Sequence, residues 1–169
     1  LDLLRGRIAL ATGAWDEAGA ALDAVLAAGA GRRADAEALS MLGEVAINRS
    51  EFDRSIDLQR RAIEAARNLE PRDEELLALC LSRLGAAQAF CGKDEDAGWT
   101  IQELMGIVSR PEWANSPLVI DALNAKSMLL INTRPQDAVR EMRSVVETAR
   151  RVFAAPHPKI ALSLHNLGA

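Results

Sequence analysis

The residues able to act as ligands, nucleophiles or acid–base groups are few in this chain and poorly spaced for one another. His157 and His165 are the only histidines; they stand eight residues apart, and no Cys or paired carboxylate is spaced to complete a metal set with them. His157 precedes Pro158, which is the place of a helix-entry residue. Cys80 and Cys91 fall eleven residues apart in one predicted helix. At helical rise that separates them by about 16 Å, too far for a disulfide, so they read as two buried thiols. The acidic groups Asp73-Glu74-Glu75, just after Pro71, and Asp94-Glu95-Asp96 sit where helices begin, and negative charge there favours the macrodipole. Arg32-Arg33, Arg60-Arg61 and Arg150-Arg151 read as solvated faces or helix ends, and none of the eleven glycines builds a Gly-x-Gly-x-x-Gly or Walker loop. The expectation is a protein that is not an enzyme, holds no metal and needs no cofactor.

Composition narrows the partners. The chain has 169 residues, of which 49% are hydrophobic and 26% charged, enough to bury a core. Only 4% are aromatic, Tyr is absent, and Ala and Leu abound, which favours close helix packing over a sheet. A net charge of −4 with no isolated Lys/Arg run gives no field for nucleic acid or anionic lipid. The longest apolar runs, such as Met128 to Ile131, fall far below the roughly 18 residues a membrane span needs. No signal peptide opens the sequence, so a cytoplasmic address is expected. There is no initiating Met, position 1 already lies inside a helical pattern, and Asn166-Leu167-Gly168-Ala169 stops partway through another. The expectation is a piece of a longer protein, with self-association through exposed terminal helices as one consequence.

The elements that carry these residues repeat. In residues 81–105, Leu81 and Leu84 lead to Gly85, Gly92 follows seven residues later, Ala97 twelve later, and Ile101 and Leu104 beyond it: a helix, a turn and a second helix. The same columns place anchors at Gly6, Gly43, Lys126 and Gly168, a period near 42 for most of the chain. The units run about 1–31, 32–71, 72–115 and 116–156, with a partial one at 157–169. An anchor Gly costs about 1 kcal/mol inside a helix, so it is expected only where two helices approach too closely for a side chain. Lys126 then marks a looser contact, or one whose ammonium reaches water. A helical pair cannot bury its apolar stripe alone, so the units must stack. The expected fold is all-α, with at least eight helices and no strand.

These columns resemble tetratricopeptide repeats, and the long period, with His157-Pro158 leading to Leu164-His165-Asn166-Leu167-Gly168, is similar to the subtype found in kinesin light chains and bacterial signalling proteins. Arg5, Ser55, Asp94 and Lys126 depart from the pattern. The resemblance implies a right-handed α-α superhelix whose first helices line a concave groove. The stripe three before, one after and five after each anchor then holds Leu3, Arg7 and Ala11; Ser40, Glu44 and Asn48; Ser82, Ala86 and Phe90; and Leu123, Ser127 and Ile131. Two before the anchor, Asn124 and Asn166 match a column that related repeats use to hold a peptide backbone, and Arg83 occupies the same place in the third unit. The implied partner-binding residues are Arg7, Ser40, Glu44, Asn48, Arg83, Phe90, Asn124, Ser127 and Asn166. The paired Lys and Asn of repeats that clamp a C-terminal carboxylate are missing, so a receptor for chaperone tails is not expected. The implied function is a non-catalytic protein-interaction module, a scaffold or sensor arm of a larger bacterial signalling protein. The alternative is a regulatory sensor that binds a peptide or small effector and controls an attached kinase, ATPase or transcription-factor domain.

Overall fold

Each helical pair is closed by a turn whose geometry explains one column of the sequence. Seven residues after the first three anchors, Gly13, Ser50 and Gly92 take φ of +74°, +61° and +69°. That left-handed region is open to Gly at no steric cost, and Ser50 is the one non-glycine among the described residues that adopts it. The fourth turn is built differently: Thr133 ends one helix, Arg134 is extended (φ −150°), and Pro135 opens the next with its fixed φ.

In the computed structural model, which describes residues 1–153, 160, 161 and 164, the chain forms α1 (Asp2–Ala11), α2 (Trp15–Ala28), α3 (Arg32–Asn48), α4 (Phe52–Arg67), α5 (Glu74–Phe90), α6 (Asp94–Val108), α7 (Pro117–Thr133) and α8 (Pro135–Val152). A short 3-10 turn, Pro111–Trp113, lies between α6 and α7. No strand occurs among the described residues. The partial fifth unit, with His157, Pro158, His165, Asn166 and Gly168, lies outside the described residues apart from Ile160, Ala161 and Leu164.

The anchors do what their small size requires. A Cβ on Gly6 would lie 2.7 Å from Leu22 Cδ2, one on Gly43 2.3 Å from Gln59 Nε2, and one on Gly85 2.8 Å from Ile101 Cγ1. Each opposing side chain stands sixteen residues on, in the second helix of the same pair. At Lys126 the side chain turns aside instead, and Nζ donates to Glu141 Oε1 of α8 at 3.0 Å. The half-exposed ammonium is thus held by a carboxylate whose side chain is only 18% exposed.

Packing is sequential: every helix touches the next, and the first helices also touch one another, α1 with α3, α3 with α5, and α5 with α7. One apolar cluster, with Leu22, Leu77, Leu81 and Leu104 fully buried, runs from α1 to α7. Smaller clusters join α5, α6 and α7, and α7 with α8. Cys80 lies inside the main cluster, whereas Cys91 caps the end of α5 half-buried, so only one of the two expected buried thiols is fully enclosed.

Charge pairs stitch neighbouring units along both edges. Arg49 binds Asp16 and Lys93 binds Asp53 at 2.8 Å, each joining one turn to the preceding one. Asn132 in the fourth unit donates to the Ala89 carbonyl at 2.8 Å and to Asp94 at 3.2 Å. Between second helices, Arg60 meets Asp96 at 3.2 Å and Arg67 meets both Glu103 oxygens at 2.7 Å.

Candidate interaction surface

The first helices form a common face, and across α1, α3 and α5 that face sinks into an open depression of about 330 Å³. Leu10, Met41 and Leu79 supply its apolar wall, while Arg7, Glu37 and Arg83 supply charge. A volume at the low end of the roughly 300–1,000 Å³ range of ligand sites suits one or two side chains of a bound segment better than a cofactor.

The charges are already engaged with one another. Arg7 of α1 bonds to Glu37 of α3, whose second oxygen is 3.5 Å from Arg33 Nη1. Arg33 Nε in turn donates to Asp73 at the start of α5 at 2.8 Å. Further along, Arg83 of α5 donates to Ser40 Oγ at 2.7 Å and to Glu44 Oε2 at 2.5 Å, both on α3. These bonds tie the three first helices together and leave the depression close to neutral.

Asp73 shows how the edge is fixed. Burial raises its pKa, but the N–H of Leu76, which its Oδ1 accepts at 2.9 Å as the α5 cap, and the Arg33 guanidinium together outweigh burial and hold it below the ordinary carboxylate value. Burial pushes the Cys80 thiol up, with Ser40 and Arg83 pulling more weakly the other way, so this sulfur stays a packed thiol.

The residues anticipated from sequence do not share one environment. Arg7, Glu44 and Arg83 line the depression, the last two as a mutual ion pair. Ser40 and Ser127 are corrected: both are buried, Ser40 accepting from Arg83 and Ser127 Oγ donating to the Leu123 carbonyl at 2.8 Å, so neither offers a group to a partner. Asn48 is exposed, with Nδ2 turned back to the Glu44 carbonyl at 2.9 Å. Phe90 is 63% exposed but stands against Phe52, ring centroids 4.9 Å apart, at the turn edge between two units. Asn124 is half-buried on α7, away from the depression, and Asn166 lies outside the described residues.

Burial along the stripe is graded. The positions three before Gly43, Gly85 and Lys126, namely Ser40, Ser82 and Leu123, are enclosed and Leu3 at the chain's start is half-buried, whereas those five after the anchors, Ala11, Asn48, Phe90 and Ile131, are exposed. Glu37 and Leu79 stand six before their anchors, outside the stripe, and Met41 shares the column of Arg83 and Asn124 but carries an apolar side chain there. The usable signal was adjacency: the hollow between two first helices is shared by the trailing positions of one and the leading positions of the next.

Among the described residues no three His, Cys, Asp or Glu gather into a metal-holding group, and no helix is long and apolar enough to cross a membrane. No protein-family model matches the chain, and no curated protein matches it significantly.

Proposed function

We propose that the chain is a tetratricopeptide-type array, wound as a right-handed superhelix, that serves as a non-catalytic protein-interaction module. The observation that carries this reading is the depression across α1, α3 and α5, which opens an apolar wall of Leu10, Met41 and Leu79 beside fixed polar groups. An extended or helical protein segment laid over the first helices would bury an apolar side chain there and meet the exposed edges of Arg7 and Glu44. Because the charges pair internally, neither an acidic nor a basic segment is favoured by net charge. A cytoplasmic scaffold or sensor arm of a larger bacterial signalling protein is the setting this activity fits.

A random peptide library displayed on phage and selected against the protein tests the reading. Selected peptides should lose at least tenfold in affinity for a Leu79→Arg, Ala11→Arg variant that keeps its helical circular dichroism and melting temperature. Peptides that bind this variant undiminished, or a library that yields no binder, would count against the surface.

A further inference from the structure

Two arginines on α8 stand where two others, on α4, hold the neighbouring unit. Arg60 and Arg67 lie seven residues apart on α4, seventeen and twenty-four after the anchor Gly43, and they bind Asp96 and Glu103, also seven apart, on α6. Arg143 and Arg150 lie seventeen and twenty-four after Lys126. The two helices correspond in burial as well as in sequence: Ala138, Val145, Val146 and Ala149 of α8 are buried in the places of Ser55, Ala62, Ile63 and Ala66 of α4. What differs is the company. On α4 both guanidiniums are answered, whereas on α8 both are exposed without a partner among the described residues, and Glu147 between them pairs with neither. Val139, four before Arg143, is 47% exposed, whereas Ile56, four before Arg60, is 3% exposed. The corresponding residues after Gly6 are Asp23 and Ala30, and those after Gly85 are Gln102 and Ser109, so a pair of arginines is not a column that every unit keeps.

We propose that the outer face of α8 docks an acidic amphipathic helix, one that carries two carboxylates seven residues apart beside an apolar stripe. The order of the pairs on α4, Arg60 with Asp96 and Arg67 with Glu103, makes α6 run parallel to α4, and the docked helix runs parallel to α8 in the same way. Two turns of helix set such carboxylates about 10.5 Å apart, which matches the spacing of Arg143 and Arg150 along α8. Charge and spacing therefore select the partner together, and Val139 adds apolar surface beside them. Ile160 packs in the cluster of Val145 and Ala149, as Leu77 of α5, in the same column, packs in the cluster of Ala62 and Ile63. The exposed strip of α8 accordingly corresponds to the one that α6 faces on α4, not to the one that α5 covers. Exposed ion pairs are individually weak, so the two arginines decide which helix docks more than how tightly it is held. This face is separate from the depression across α1, α3 and α5.

Fluorescence anisotropy of a labelled, hydrocarbon-stapled peptide with the α6 sequence, residues 94–108, tests the assignment on the whole 169-residue chain. The peptide should bind with a dissociation constant below about 1 mM. Arg143→Glu with Arg150→Glu should weaken it about tenfold. Both side chains are exposed, so this variant should keep its helical circular dichroism and melting temperature. The decisive arm reverses the charges on both sides: a peptide with Asp96→Lys and Glu103→Lys should prefer the arginine-reversed variant to the wild type by a similar factor. Leu79→Arg with Ala11→Arg, the substitutions that block the depression, should leave the affinity of the α6 peptide unchanged, which keeps failure of this surface distinct from failure of that one. Equal binding of the α6 peptide to the wild type and the arginine-reversed variant, a scrambled peptide of the same composition bound as well as the helix, or no binding up to about 1 mM would overturn the assignment. So would self-association of the wild type that the arginine reversal abolishes, since a second copy would then be the occupant.

Discussion

The third and fourth helical pairs solve one packing problem in two ways. Where α5 crosses α6, Gly85 leaves room for Ile101, and the contact is apolar apart from the Thr100–Gln88 hydrogen bond beside it. Where α7 crosses α8, Lys126 stands in the same place and its side chain turns aside, so that the ammonium reaches Glu141 at 3.0 Å. The turns differ in parallel. The third uses Gly92 at positive φ, whereas the fourth dispenses with that conformation and restarts on Pro135. A repeat can therefore lose both of its small-residue columns and still form its helices, provided a charge pair and a proline replace what the glycines supplied. What it gives up is the spot that admits no side chain, and with it the sensitivity to volume that such a spot confers.

The largest effect is expected at the tightest crossing. Gly43→Leu must displace Gln59, whose Nε2 donates to the buried Ser40 carbonyl at 2.8 Å. Overpacking costs about 1–3 kcal/mol, and leaving that acceptor unpaired adds about 1–3 more. A fall in the urea midpoint of only a few tenths molar, at unchanged slope, would contradict the assignment of Gly43 as a close crossing.

Next in size is the α5 cap. Asp73→Ala removes the bond to the Leu76 N–H and should cost about 1 kcal/mol in thermal or chemical unfolding. Asp73→Asn keeps a capping oxygen but loses the charge facing Arg33, and so separates the two contributions. Because the folded-state pKa of Asp73 is depressed, its charge-dependent stabilisation is complete above the ordinary carboxylate value of about 4 and is lost as pH falls toward the lower folded value. The stability gap between wild type and Asp73→Asn should accordingly narrow below about pH 4. A gap that widens with acid would reverse the sign of the argument.

The smallest effect is a gain. Ser50→Gly should stabilise by several tenths of a kcal/mol to about 1, because the native φ of +61° strains a side chain. Thr133→Gly, at the equivalent position of the fourth unit, should give no such gain, since that residue is helical. Matching shifts in melting temperature for the two variants would remove the distinction between the two kinds of turn.

Much of this architecture could be read from local sequence. Gly6, Gly43 and Gly85 recur because each of the first three pairs makes the same close crossing, and Gly13, Ser50 and Gly92 because each of their turns takes the same backbone angle. Pro111 opens the 3-10 turn and Pro117 opens α7, where a fixed φ and a missing N–H cost a helix nothing. The surface was less legible. Whether a polar residue such as Ser40 faces solvent or accepts a bond from Arg83 depends on a helix forty residues away, and nothing in the spacing of α3 records that partner. Arg7 with Glu37 between α1 and α3, and Arg33 with Asp73 and Arg83 with Glu44 between α3 and α5, likewise follow no repeating column. Met41, which is buried, and the half-buried Leu79 reach the wall of the depression through the packing of α1 against α3 and of α3 against α5, which the sequence does not record.

The contrast between the two crossings is tested most directly by equilibrium urea unfolding of Gly85→Leu and Lys126→Leu side by side. Leucine at 85 must push against Ile101, where a Cβ alone would stand 2.8 Å away, and should lower stability by about 1–3 kcal/mol. Leucine at 126 replaces a long side chain already accommodated between α7 and α8, loses only a partly exposed ion pair, and should change stability by about 1 kcal/mol or less. A markedly lower midpoint for Gly85→Leu at unchanged slope is the predicted result; equal midpoints for the two variants, or a lower one for Lys126→Leu, would contradict it.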